Sequence, residues 1–283
     1  MIFAVPVAAA RTIDILLFTD FTTGFVTKGS IYIRLAAAIA VVVLGYITGY
    51  VRKHSLKDFE TDIESTNSSI DRMSIGSGVC FFFAGFATAA ASVGVFYTSL
   101  KSGEFGFILK ANETLLAMGR NKLYYILLVI YILLGVFVAL WFMLLGSWYL
   151  RGEGHFSGGR YTSVIVIIWF YVRVVKDFLE FPINPYNTTS LALIVSVLFL
   201  SLFYSKYSKV ISTDFPLIDE PLLFSHGGLA FIWTIAVGAP TIIILLQKNE
   251  IDRVLVLVAD TISAVAALSA LFAKLPRAVK PAE

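Results

Sequence analysis

The sequence predicts an all-α protein, a polytopic transmembrane helix bundle of seven or eight spans. Two observations carry this expectation. Hydrophobic residues make up 58% of the 283 and charged residues only 14%, whereas soluble domains are about half apolar and about a quarter charged. The apolar residues are also grouped into runs near the roughly 20 residues that a helix needs to cross a bilayer. Short polar connections such as GEGHFSGG at 152–159 and LQKNEIDR at 246–253 separate these runs. Nearly the whole chain is used in this way, so residues 1–283 read as one integral membrane domain.

Residues 2–25 hold Arg11, Asp14 and Asp20. They form either a first span or an interfacial helix with a snorkelling Arg11. Arg11 and Asp14 are three apart and can pair on one helix face. AVPVAAA resembles a signal-cleavage region, but no basic stretch precedes it, so the segment is expected to be retained. The second run, 31–51, contains GYITG, with Gly45 and Gly49 at the GxxxG spacing that lets membrane helices touch. Arg34 near its start can reach the interface along its own stem. Residues 52–76 read as a polar loop.

The run 78–100 places Gly78, Gly85, Ala89 and Ser92 on one stripe, a face for close packing. Residues 101–122 carry Phe105, Ile108, Leu109, Leu115 and Leu116 at helical spacing and are expected to lie as a short helix in the interface. Further spans are 123–150, 161–181, 189–204, 228–247 and 254–273. Pro240 interrupts the backbone hydrogen bonding of 228–247, freeing a carbonyl near Ala236. With Gly238 beside it, Pro240 is a hinge candidate.

Ionisable residues inside spans cost at least about 2.5–3.5 kcal/mol each and mark candidate sites. Asp260 lies roughly 5 Å from the midpoint of its run. Ser263, Ala264 and Ala267 share its face, so the carboxylate is expected to point at other helices. In YVRVVKDFLEF, Arg173, Lys176, Asp177 and Glu180 fall on one face. The pairs Arg173–Asp177 and Lys176–Glu180 are four apart and can neutralise each other. The candidate polar intramembrane residues are therefore Asp260, Ser263, Arg173, Lys176, Asp177 and Glu180, with Arg11 and Asp14 in the first helix.

Several classes are excluded. The net charge is +3 without a dense basic run, so no nucleic-acid partner is expected. Cys80 is the lone cysteine, and His54, His155 and His226 are assigned to three separate connections without ligand spacing. No metal or cofactor is expected. No catalytic motif of the HExxH, GxSxG or phosphate-loop kind is present, and the last run has no interior lysine for a retinal Schiff base. Basic residues just after 51 and 273 favour a cytoplasmic C-terminus in a plasma membrane. What remains is a transporter or channel for a small solute or ion with a polar intramembrane site. The alternative is a scaffold or sensor subunit whose charges bind helices, a membrane partner or a second copy. A lipid-acting enzyme ranks third. All three place the chain against the lipid bilayer.

Overall fold

A computed structural model of the protein describes residues 4–19, 26–57, 72–103, 122–152, 156, 159–180, 188–213 and 221–273. Eight helices lie within those residues. They are α1 (Ala4–Phe18), α2 (Ile31–Lys57), α3 (Arg72–Lys101), α4 (Lys122–Arg151), α5 (Gly159–Glu180), α6 (Thr188–Thr213), α7 (Pro221–Gln247) and α8 (Ile251–Ala270). Five stretches are long and apolar enough to cross a membrane: Ile31–Val51, Ser74–Lys101, Leu123–Arg151, Ser190–Ile211 and Leu222–Gln247. The protein is a helical membrane bundle. The interfacial helix expected at 101–122 and most of the polar loop at 52–76 fall outside the described residues.

Helices extend beyond the apolar runs, because backbone hydrogen bonding continues where hydropathy drops. The helix containing the second run continues through 52–57, and α3 begins at Arg72 rather than at residue 78. His54 and His226 therefore do not lie in connections. His54 is in the last turns of α2, and His226 is buried in α7, its Nε2 3.1 Å from the Tyr46 hydroxyl of α2. The connection before α8 is also shorter than expected, so Arg253 falls in the first turn of α8. Asn249 adopts φ 57° there, a conformation asparagine tolerates better than most residues. The N–H groups of Asn249 and Glu250 reach the carbonyls of Leu246 and Leu245, the bond pattern of a Schellman cap. This reverses the chain within three residues.

Six helices form a closed ring. α3 packs on α4, α4 on α5, α5 on α6, α6 on α7, α7 on α8, and α8 returns to α3. α1 and α2 lie outside the ring against α7. A regular ring of six cylinders encloses a space as wide as one cylinder, about 10 Å for helices. α8 also touches α6, which flattens the ring, and large aromatic side chains fill what remains. Phe81 stacks on Phe142, Tyr149 and Tyr207, with centroids 6.2, 5.7 and 6.1 Å away. Phe170 lies parallel to Tyr204 at 5.5 Å, and Tyr131 to Trp169 at 5.3 Å. Such contacts add about 0.5–1.5 kcal/mol each beyond simple burial.

The tightest seam in the ring is α3 on α4. A Cβ at Gly78 would stand 3.0 Å from the Gly146 carbonyl oxygen, and one at Gly146 2.8 Å from the Gly78 carbonyl oxygen. Further along, a Cβ at Gly85 would meet the Ala139 oxygen at 2.8 Å. The stripe expected on α3 thus meets a matching one on α4, formed by Gly135, Ala139 and Gly146. Gly45 of α2 similarly receives Leu229 of α7. We expect Gly146→Val to destabilise the protein by about 1–3 kcal/mol through overpacking. Gly76→Ala, where a Cβ meets nothing within 4 Å, should be neutral. Thermal unfolding of the purified protein checks the contrast, and equal midpoints for the two variants would contradict the seam.

Candidate functional site

Asp260 does meet a side chain. Its helix turns the carboxylate into the ring, and Arg173 of α5 donates from Nη1 to Oδ1 and from Nη2 to Oδ2. The pair is bidentate, the geometry in which a planar guanidinium matches a carboxylate best. α5 and α8 stand opposite each other in the ring order, separated by α6 and α7 on one side and α3 and α4 on the other. The ion pair therefore spans the ring interior.

Arg173 also lies 3.5 Å from Asp177 one turn along α5, through Nε. Asp177 in turn accepts from Lys176 Nζ at 2.8 Å, and Lys176 reaches Glu180 at 3.2 Å. Both i,i+4 pairs expected from the sequence are formed. Glu180 then receives Arg253 Nη2 of α8 at 2.8 Å, and Arg253 Nη1 contacts Glu250 at 2.8 Å. The result is a continuous file of alternating charge from the ring interior to its rim. Its side chains from Asp260 to Glu180 are all largely buried, at 3–16% exposure, and Arg253 at 40% is the member that reaches the surface.

Aromatic groups of α4 wall this file. Lys176 Nζ sits 5.7 Å from the ring centroids of both Tyr124 and Tyr131, within cation–π range. Tyr131 is itself held by Trp169, which stacks on it and donates Nε1–H to its backbone carbonyl at 3.0 Å. Ser263 lies on the Asp260 face as expected and is buried. Its carbonyl accepts from the Tyr204 hydroxyl at 2.8 Å, tying α8 to α6.

The other candidates form a separate cluster outside the ring. Arg11 pairs with Asp14 at 2.5 Å as its spacing implies. Arg34, which the sequence places within snorkelling reach of the interface, also binds Asp14, with Nη2 2.7 Å from Oδ1. It fastens the start of α2 to α1, and its Nη2 donates to the Lys28 carbonyl at 2.9 Å. Pro240 sits within an α7 that runs on to Gln247. The neighbouring Gly238 faces Thr261 of α8, whose Oγ1 would be 3.2 Å from an added Cβ. The hinge candidate thus adjoins the helix turn that carries Asp260.

No protein-family model matches the chain, and no curated protein or solved structure matches it significantly. Among the described residues, no group of three metal-ligating side chains is found. The site's character therefore rests on its own geometry. Arg253, Tyr124 and Tyr131 were not among the residues singled out from sequence. Arg253 was hidden in an apparent loop, whereas the two tyrosines had a usable signal, being seven residues apart and so on one helix face.

A buried pair is costly to break from one side, since the survivor is left as an uncompensated charge. We expect Arg173→Met or Asp260→Leu alone to destabilise the protein by about 3–5 kcal/mol, and the double variant to lose much less. A double-mutant cycle measured by thermal or denaturant unfolding tests this. Additive losses would show that the two side chains do not depend on each other.

Proposed function

We propose that the protein translocates a small solute or ion through the ring of α3–α8, with Arg173–Asp260 as its closed central lock. The observation that carries this reading is the continuous charge file, which joins a pair at the ring interior to the partly exposed Arg253. Burying five alternating charges is an inefficient way to hold helices together, because desolvation offsets most of their attraction. Ionisable groups inside a membrane bundle more often mark a path.

The lock suggests how passage would be controlled. Asp260 holds Arg173 only while it is ionised. A proton or cation arriving at the carboxylate weakens the bidentate contact, and Asp177, already 3.5 Å from Arg173 Nε, offers the guanidinium an alternative partner. Gly238 and Pro240 lie on α7 beside α8, where a small bend would shift the Asp260 turn. The file ends where α5 finishes at Glu180 and α8 begins at Ile251. Lys and Arg placement favours the opposite face being cytoplasmic in a plasma membrane.

A second reading has a specific observation in its favour. Each charge in the file has a partner within the chain, and aromatic side chains fill the ring, as expected of a scaffold or sensor subunit. Flux separates the two. In proteoliposomes we expect the native protein to raise the permeability to H+, Na+, K+ or methylammonium. Asp260→Asn, which mimics the neutralised carboxylate and so holds the lock open, should raise that flux by about tenfold, or about 1.4 kcal/mol in the barrier. Native vesicles no more permeable than protein-free ones, or equal flux in native and variant, would favour the scaffold.

A further inference from the structure

We propose that the space between Tyr124, Tyr131, Asp177 and Glu180 is a binding site for small primary ammonium ions, held between binding events by the protein's own Lys176. This rests on the translocation reading and names its substrate class.

The surroundings of the Lys176 head group are those that ammonium recognition requires. Nζ has carboxylate oxygens at 2.8 Å on Asp177 and 3.2 Å on Glu180. Two tyrosine faces stand at 5.7 Å each. Carboxylates alone would accept any cation, but a small hydrated metal ion draws little from a ring face unless it sheds water. An ammonium with an alkyl group satisfies both kinds of wall, donating N–H to the carboxylates and presenting polarised C–H to the rings. The rings are also preorganised. Tyr131 is clamped by Trp169 through a stack and a backbone hydrogen bond, and Tyr124 packs edge-on against Tyr125 at 5.3 Å.

The present occupant and the aromatic half of its cage sit on different helices. Lys176 belongs to α5, as do both carboxylates, whereas the rings come from α4. Its four-carbon stem can swing while the ring pair stays in place. Glu180, one turn further on, ends α5 at the rim, so a withdrawn Lys176 has a short route to the polar boundary by snorkelling. A soluble ammonium can then occupy the same coordination without a change in net charge at the site. Lys176 acts as a tethered competitor that keeps the cage filled when no ligand is present.

The test is binding of radiolabelled methylammonium to the full-length protein in detergent, which requires no flux. Lys176→Met keeps the bulk of the stem and removes the competing charge. We expect it to bind methylammonium about tenfold more tightly than the native protein, a difference of about 1.4 kcal/mol. The gain should disappear when Tyr124→Leu and Tyr131→Leu are added, and sodium at equal concentration should not compete. In a parallel arm, n-butylammonium but not n-butanol should raise the unfolding midpoint of Lys176→Ala. Equal binding in native and Lys176→Met protein, binding that survives loss of both rings, or equal effects of the amine and the alcohol would each overturn the proposal. Because Asp260 is unaltered throughout, failure here is separate from failure of the Asp260→Asn flux test.

Discussion

A closed ring of six helices must fill its own centre, and most of this structure follows from how that is done. Backbones cannot reach the axis, so side chains have to span it. Over most of the ring the solution is aromatic, with the rings of α3, α4, α5 and α6 stacked on one another. At one level the solution is ionic, and Arg173 reaches the carboxylate of the opposite helix. That choice makes α5 and α8 interdependent without direct backbone packing. It also draws Asp177, Lys176, Glu180 and Arg253 into a line, since each residue in it is fixed by the charge next to it.

The close α3–α4 seam and the ionic bridge are complementary. Glycine contacts lock one wall of the ring to within van der Waals distance, leaving little freedom there. The α7–α8 side is built otherwise. Pro240 lies within α7, Gly238 faces Thr261, the residue after Asp260, and a three-residue reversal at Asn249 joins the two helices.

Much of this was legible in the sequence where the physics is local. Each of the eight helices among the described residues overlaps a run expected from the sequence. Spacing of three and four put Asp260 on a small-residue face and paired the charges of α5 correctly. The small stripe on α3 was visible, and so in principle was its counterpart at Gly135, Ala139 and Gly146. What could not be read were relations between distant segments. Nothing near Asp260 in the chain indicates that Arg173 lies across from it, because that depends on the order of helices around the ring. Polarity also misplaced helix ends. His226 and Arg253 looked like connection residues because charge and histidine are common there, although hydrogen bonding carries the helices through both.

The bridge also has a history within each molecule. Arg173 is made 87 residues before Asp260, which at ordinary rates of synthesis is roughly 4–17 seconds. During that interval a guanidinium destined for the ring interior has no partner from α8. Asp177, on the same helix and one turn away, is there from the start. Among the described residues, the 3.5 Å contact to Asp177 is the one ion pair of Arg173 that its own helix supplies, and so the one that does not wait for α8.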